Sequence, residues 1–248
     1  MAGLKGKTVL ITGASRGIGA AAARACHEQG ARVVLHASSP GEAGRKAAEA
    51  AGGGEVLYED LSQPGAGARL MAAAVEMAGR LDAVVNNAGI YLSTPLAADG
   101  AAWAEGWAKT MAINVQAPAD ICRAAIAHFR QHGGGIVVNV ASRAGHRGDA
   151  PDGGAYAASK GAILAMTKTW ARALAGENIL FYAIAPGWVE TRMAPQDIEA
   201  RKKAVHEIPL GRVAAPEEVA AMIAFLASGA CPSATGATFD INGASYVR

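Results

Sequence analysis

The sequence predicts an α/β fold: a single doubly wound domain spanning 1–248, with about seven mainly parallel strands and helices on both faces of the sheet. Three observations lead there. Short apolar runs alternate with alanine-rich helical stretches from one end of the chain to the other. No linker, repeat or low-complexity tract divides the 248 residues, and 51% of them are hydrophobic, enough for one substantial core. The first apolar run passes directly into a glycine-rich turn and then a helix.

The runs Lys7–Thr12, Arg32–Ala37, Glu55–Glu59, Asp82–Asn86, Ile136–Ala141, Ile179–Ala185 and Ala237–Ile241 read as strands. They are short, apolar and bounded by Gly, Asp or Pro, as strands covered on both faces should be. Helices are expected near Gly17–Gln29, Glu42–Ala51, Gly67–Ala78, Trp103–His132, Tyr156–Ala175 and Glu217–Ala227. Pro216 suits the start of the last one, because its missing N–H needs no partner there and the following acids favour the helix dipole. The stretch Trp188–Ala215 fits the alternation poorly. It reads either as a helical flap over a site or as a structural excursion.

Composition narrows the function. A formal net charge of +2 excludes an electrostatic nucleic-acid surface and an acidic tail. Cys26, Cys122 and Cys231 are far apart and form no C-x-x-C pair. Neither a disulfide scaffold nor a metal site is expected, and a reducing, cytoplasmic setting is. The N-terminal stretch Met1-Ala-Gly-Leu-Lys-Gly-Lys7 lacks the apolar segment of a signal peptide, and no apolar run approaches a membrane span. The 31 glycines, with alanine at about a quarter of the chain, point to close approach of backbones to each other or to a ligand.

The first turn, Gly13-Ala14-Ser15-Arg16-Gly17-Ile18-Gly19, has the spacing G-x-x-x-G-x-G in a strand–turn–helix setting. Glycines there permit unusual dihedrals and a close approach by pyrophosphate, while the helix that follows directs free N–H groups at the anion. Dinucleotide sites of this type place an acid roughly 20 residues further on, at the end of the second strand, for the ribose 2′-hydroxyl. Here that position holds Ala37, followed by Ser38 and Ser39. With no carboxylate to repel a 2′-phosphate and Arg16 able to supply a cation, NADP(H) is favoured over NAD(H). The plainer alternative makes Arg16 a solvated loop residue.

Tyr156 and Lys160 stand four apart in a helical stretch, on one face and within reach. A phenol titrates near ~10, and a neighbouring ammonium should lower that value. Ser142 follows the strand Ile136–Ala141, Asn87-Ala88-Gly89 follows Asp82–Asn86, and Pro186-Gly187 follows Ile179–Ala185. Polar or backbone-exposing residues thus recur at the carboxyl edge of one sheet, where open α/β folds bind ligands.

The ordered set Thr12–Gly19, Asn86-Asn-Ala-Gly89, Asn114, Ser142, Tyr156-Ala-Ala-Ser-Lys160 and Pro186-Gly187 resembles the short-chain dehydrogenase/reductases over essentially the whole chain. The subgroup it looks most like is that of the 3-oxoacyl-acyl-carrier-protein reductases. The resemblance implies a Rossmann-type fold and roles for these positions. Tyr156 would be the general acid or base, and Lys160 would lower its pKa and hold the nicotinamide ribose. Ser142 would polarise the carbonyl, and Asn114 would hold a water in the proton relay. Asp60 and Leu61 would face the adenine, Asn87, Ala88 and Gly89 the ribose, and Pro186, Gly187, Val189 and Thr191 the nicotinamide side. The resemblance also implies a homotetramer.

Two departures bear on the substrate. Counting from Ser142 and Tyr156 puts Gly133 and Glu177 where the resembling fatty-acid enzymes tend to present arginines, with Arg130 and Arg172 nearby but out of register. That makes acyl carrier protein a doubtful partner unless a loop shift compensates. The loop between Ser142 and Tyr156 carries Arg143, His146 and Arg147. With Trp188, these residues are candidates for binding an anionic or polyhydroxylated substrate. The alternative is local pairing of Arg143 and Arg147 with Asp149 and Asp152. The expected activity is NADP(H)-dependent interconversion of a small carbonyl compound, a ketone or 3-oxoacyl group, with its alcohol. Dehydrogenation of a sugar or hydroxy acid is the alternative, and dinucleotide sensing without turnover is a third reading.

Overall fold

The computed structural model describes residues 3–248; Met1 and Ala2, part of the N-terminal stretch read above, lie outside them. Seven strands form one sheet: β1 (Thr8–Ile11), β2 (Arg32–Ala37), β3 (Glu55–Tyr58), β4 (Ala83–Asn86), β5 (Gly135–Val140), β6 (Ile179–Pro186) and β7 (Thr238–Ile241). Their order is β3-β2-β1-β4-β5-β6-β7, and every neighbouring pair is parallel. Every predicted strand is present. The chain winds outward from β1 to β3, crosses back to place β4 beside β1, and then winds the other way. The crevice at that reversal opens outside the carboxyl ends of the strands.

Alternate residues of each strand serve opposite faces. On one face, Val9, Val85 and Val138 meet Ala22 and Cys26 of α1 (Gly17–Glu28) and Val219 and Ile223 of α9 (Pro216–Ala227). On the other, Leu10, Val84 and Val137 meet Leu70 of α3 (Ala66–Ala78), Phe129 of α5 (Ala117–Gln131) and Ala171 of α7 (Gly154–Leu174). The remaining helices are α2 (Glu42–Ala50), α4 (Gly100–Met111), α6 (Ala144–Arg147) and α8 (Ile198–His206). Among the described residues no helix is long and apolar enough to cross a membrane.

The single helix expected over Trp103–His132 is corrected. α4 begins at Gly100 behind an Asp99 cap, and a π-helical segment, Ala112–Gln116, separates it from α5. Pro118 explains the break. It has no N–H to bond the carbonyl four residues back, that of Asn114, so the α-helical ladder cannot run through this point.

Trp188–Ala215 leaves the sheet and returns to its own start. The Ala214 N–H donates to the Trp188 carbonyl at 2.9 Å, and the Glu190 N–H donates to the Ala214 carbonyl at 2.9 Å. Between these ends lies α8, capped by Asp197.

A buried polar chain ties the layers behind the crevice. Asn86 Nδ2 donates to Asn139 Oδ1 at 2.9 Å, and Asn139 Nδ2 donates to Thr167 Oγ1 at 2.9 Å, joining β4, β5 and α7. Asn139→Ala should cost about 2 kcal/mol in urea unfolding, because buried polar partners are left unpaired. An unchanged midpoint would show that this tie contributes nothing.

Candidate active site

The glycine turn is shaped first by the protein itself. Gly13 and Gly17 have φ of +63° and +54°, where a side chain is strained. A Cβ on Gly13 would lie 2.9 Å from Ala88 Cα, and one on Gly19 would lie 2.6 Å from Asn87 Nδ2 and collide with the Gly13 carbonyl. One on Gly17 would press on Thr191 at 3.1 Å. The three glycines thus bring β1, α1 and the start of the 188–215 excursion together, as well as leaving backbone open at the α1 N-terminus. Ser15 and Ile18 are half-buried there and Arg16 is exposed.

Thr12 and Asn87 stitch the β1 and β4 ends. Thr12 Oγ1 accepts from the Asn87 and Ala88 N–H groups at 3.0 and 2.9 Å, and Asn87 Nδ2 donates to the Thr12 carbonyl at 2.9 Å. A further tie was missed from sequence. Buried His36 accepts from the Gly13 N–H through Nδ1 at 3.1 Å, and its Nε2 lies 2.9 Å from the Glu59 carbonyl. A carbonyl can only accept, so Nε2 carries the proton and the ring is neutral. Burial holds its pKa below the ordinary imidazole value. A strand histidine one place before Ala37 carries no signal that its ring would turn back to the first loop.

At the second strand's end, Ala37 is buried while Ser38 and Ser39 are exposed. Among the described residues Arg16 has no side-chain hydrogen bond or ion pair. Asp60 is held by the Ser62 N–H at 2.9 Å and by Gln63, which keep its carboxyl below the usual range, and Leu61 beside it is buried.

Ser142, Tyr156, Lys160 and Asn114 gather at the carboxyl edge of β5. Lys160 Nζ donates to the Val140 carbonyl at 2.9 Å and lies 5.6 Å from the Tyr156 ring centre. A Cβ on Gly89 would sit 3.4 Å from both Lys160 Nζ and Asn114 Oδ1, so its absence leaves space around them. Asn114 Nδ2 donates to the Ile90 carbonyl and Ser159 Oγ, and its Oδ1 accepts from the Ile90 N–H. The Asn114 side chain is therefore committed to the protein.

The expected lowering of the tyrosine pKa is also corrected. Burial pushes Tyr156 up to about 12, against a smaller opposing effect of the Ser142 hydroxyl, and burial pushes Lys160 down to about 8. Desolvation penalises phenolate and ammonium alike. Tyr91 packs its ring 5.3 Å from that of Tyr156.

The loop after Ser142 divides. Arg143 is buried, its N–H donates to the Pro186 carbonyl at 3.0 Å, and its guanidinium lies 5.8 Å from the Trp188 ring centre. Arg143 and Arg147 approach Glu207 at 3.9 and 3.7 Å, not the expected Asp149 and Asp152. Asp152 is taken by Ser93 at 2.5 Å. His146 is directed elsewhere: its ring stacks on Tyr246 in the C-terminal segment, 5.8 Å away, so it does not join Arg143 and Trp188. Gly187 donates to the Ile241 carbonyl at 2.9 Å, and Val189 is buried at the neck of the excursion. Arg130, out of register with Gly133, binds Glu177 through two contacts of 2.6 and 2.9 Å, so its charge is already matched by the residue at the other expected docking position.

This geometry can be set beside known proteins. The family described as Enoyl-(Acyl carrier protein) reductase matches residues 13–244. The 3-oxoacyl-acyl-carrier-protein reductase FabG of Thermotoga maritima is 36% identical over 244 residues, covering 97% of this chain and 98% of that protein. The chain belongs to the short-chain dehydrogenase/reductase family. The L-rhamnose 1-dehydrogenase (NAD(P)(+)) of Azotobacter vinelandii is also 36% identical, over 98% of this chain and 97% of its own length. A solved short-chain dehydrogenase/reductase variant from Serratia marcescens superposes with a TM-score of 0.89 at 28% identity, covering 98% of this chain and 99% of that one. Membership makes this protein an oxidoreductase of the carbonyl/alcohol class and implies a nicotinamide dinucleotide cofactor.

His36→Leu should cost about 2 kcal/mol in urea unfolding, since it strands the Gly13 N–H and the Glu59 carbonyl. The depressed folded pKa means the unfolded chain binds the proton more readily, so this residue's contribution is present above about 6.5 and fades as pH falls below it. The variant should therefore lose part of the wild-type protein's acid sensitivity. Parallel stability curves from pH 7 to 5 would contradict this role.

Proposed function

We propose that the protein is an NADP(H)-dependent reductase of a small carbonyl compound, with Tyr156 as the proton donor. The observation that carries this reading is the meeting of Ser142, Tyr156 and Lys160 at the carboxyl edge of β5. The positive-φ glycines and the open N-terminus of α1 suit a pyrophosphate. When bound, the dinucleotide supplies or accepts the hydride.

The chain's own residues handle orientation and the proton. Ser142 Oγ hydrogen-bonds the substrate oxygen, and Tyr156 Oη gives up its proton to that oxygen as charge develops there. A phenol held at about 12 is protonated near neutrality, the state that reduction requires. Lys160, at about 8, is mostly ammonium at pH 7 and serves the ribose hydroxyls and the phenol. A relay water falls to the main-chain carbonyl of Asn114, since Pro118 cannot bond it. Thr191, against Gly17, links the 188–215 flap to the cradle. Trp188 and Arg143 then form the substrate side.

The choice of NADP(H) is supported by exposed Arg16, Ser38 and Ser39 and by the lack of a carboxylate at Ala37. The reading extends to a cytoplasmic setting, which the cysteine usage suits, and to a homo-oligomer, as the family resemblance implies. Tyr156→Phe should reduce NADPH-dependent turnover by about 10²–10⁴ while leaving dinucleotide affinity intact. Full activity in that variant would remove the mechanism. Arg16→Gln should lower the NADPH-over-NADH ratio of kcat/KM by about tenfold, the worth of one charge-assisted contact. An unchanged ratio would return Arg16 to the solvated-loop reading.

A further inference from the structure

We propose that Arg143, assisted by Arg147, forms a subsite for the carboxylate of a small oxo acid whose carbonyl is presented to Ser142 and Tyr156. The proposal rests on the reductase reading above and names its substrate class. Arg143 is buried, with a side chain only 6% exposed, yet its Nη1 has no hydrogen-bond partner among the described residues. A guanidinium stripped of water and left part-paired is costly unless an anion completes it. The Trp188 ring beside it covers the group without neutralising it.

The carboxylates nearby do not meet that need. Glu207, just past the C-terminal end of α8 on the flap, stands 3.9 Å from Arg143 and 3.7 Å from Arg147, beyond hydrogen-bonding range of either. One half-exposed carboxylate thus faces two guanidiniums. Asp152 is bonded to Ser93, and Asp149 accepts from the Ala150 N–H. The Arg143 main chain follows Ser142 directly and is tied to Pro186, so the backbone that carries the guanidinium is anchored between the carboxyl ends of β5 and β6.

The position of Glu207 also selects the ligand chemistry. Two guanidiniums already converge on a planar carboxylate carried by the flap, and a planar two-oxygen anion matches their fork geometry. A substrate carboxylate takes that place at closer range, and Glu207 competes with it. In the reaction the carbonyl carbon gains a hydride from the reduced dinucleotide and its oxygen gains the Tyr156 proton, giving the hydroxy acid. The carboxylate itself is untouched.

The test uses acetoacetate and pyruvate against their methyl esters, titrated calorimetrically into the enzyme with saturating NADP+. At least one acid should bind about tenfold more tightly than its ester. In Arg143→Met that preference should fall to about twofold or less, and Arg143→Lys should restore part of it. Glu207→Gln, an exposed change that does not depend on rebuilding the core, should tighten acid binding by about threefold and leave the esters unaffected. Equal binding of acids and esters, a preference that survives in Arg143→Met, or acid binding unchanged or weakened by Glu207→Gln would each overturn the subsite. Turnover of NADPH with the esters reads the underlying reaction separately. Ester turnover without acid preference removes only the subsite, whereas no NADPH oxidation with any carbonyl compound removes the reductase reading itself.

Discussion

The backbone contact between the carboxyl ends of β1 and β4 is the constraint on which the rest of this structure depends. Gly13 lies so close to Ala88 that a single methyl group would intrude, and Thr12 and Asn87 lock the two strand ends across the gap. Because these strands flank the reversal of the sheet, their spacing sets the width of the crevice. His36 adds a third strand to the same knot by holding the Gly13 N–H from β2. The glycine turn is thus first of all a packing solution among three strands and one helix.

Desolvation governs the chemistry a few ångströms away. Tyr156 and Lys160 both pay for burial, and each shifts toward its neutral form. The tyrosine is thereby kept protonated at neutral pH, while the lysine donates to the Val140 carbonyl. The polar chain through Asn86, Asn139 and Thr167 fixes α7 against the sheet behind them, so the pair cannot move away from β5 without breaking buried hydrogen bonds.

Much of this was legible in the sequence, for identifiable reasons. Strands covered on both faces must be continuous apolar runs, so all seven could be found from hydrophobicity and their bounding residues. The glycine turn, Ser142 and the Tyr156–Lys160 pair carry local spacing signals. What stayed hidden depends on contacts between distant segments. Nothing local directs His36 back to Gly13, and Glu207 meets Arg143 only because the 188–215 segment brings it back beside the residue that follows Ser142. The Tyr156–Lys160 spacing shows charge proximity, whereas the burial that dominates the tyrosine pKa is a three-dimensional quantity with no local signature. The break at Asn114 was the one avoidable miss, since Pro118 stands four residues beyond it in plain view.

The closed neck of the 188–215 excursion has a consequence for how such a protein can change. Since Trp188, Glu190 and Ala214 pair with one another, the chain beyond them is a self-contained loop whose ends are already joined. Lengthening or rewriting that loop changes its closure entropy only slowly and does not disturb strand register. On the proposed reading, in which this loop borders the substrate, selectivity can therefore drift in α8 and its flanks while the sheet and its knot of glycines stay as they are. The architecture separates the part that must be inherited intact from the part that is free to be rewritten.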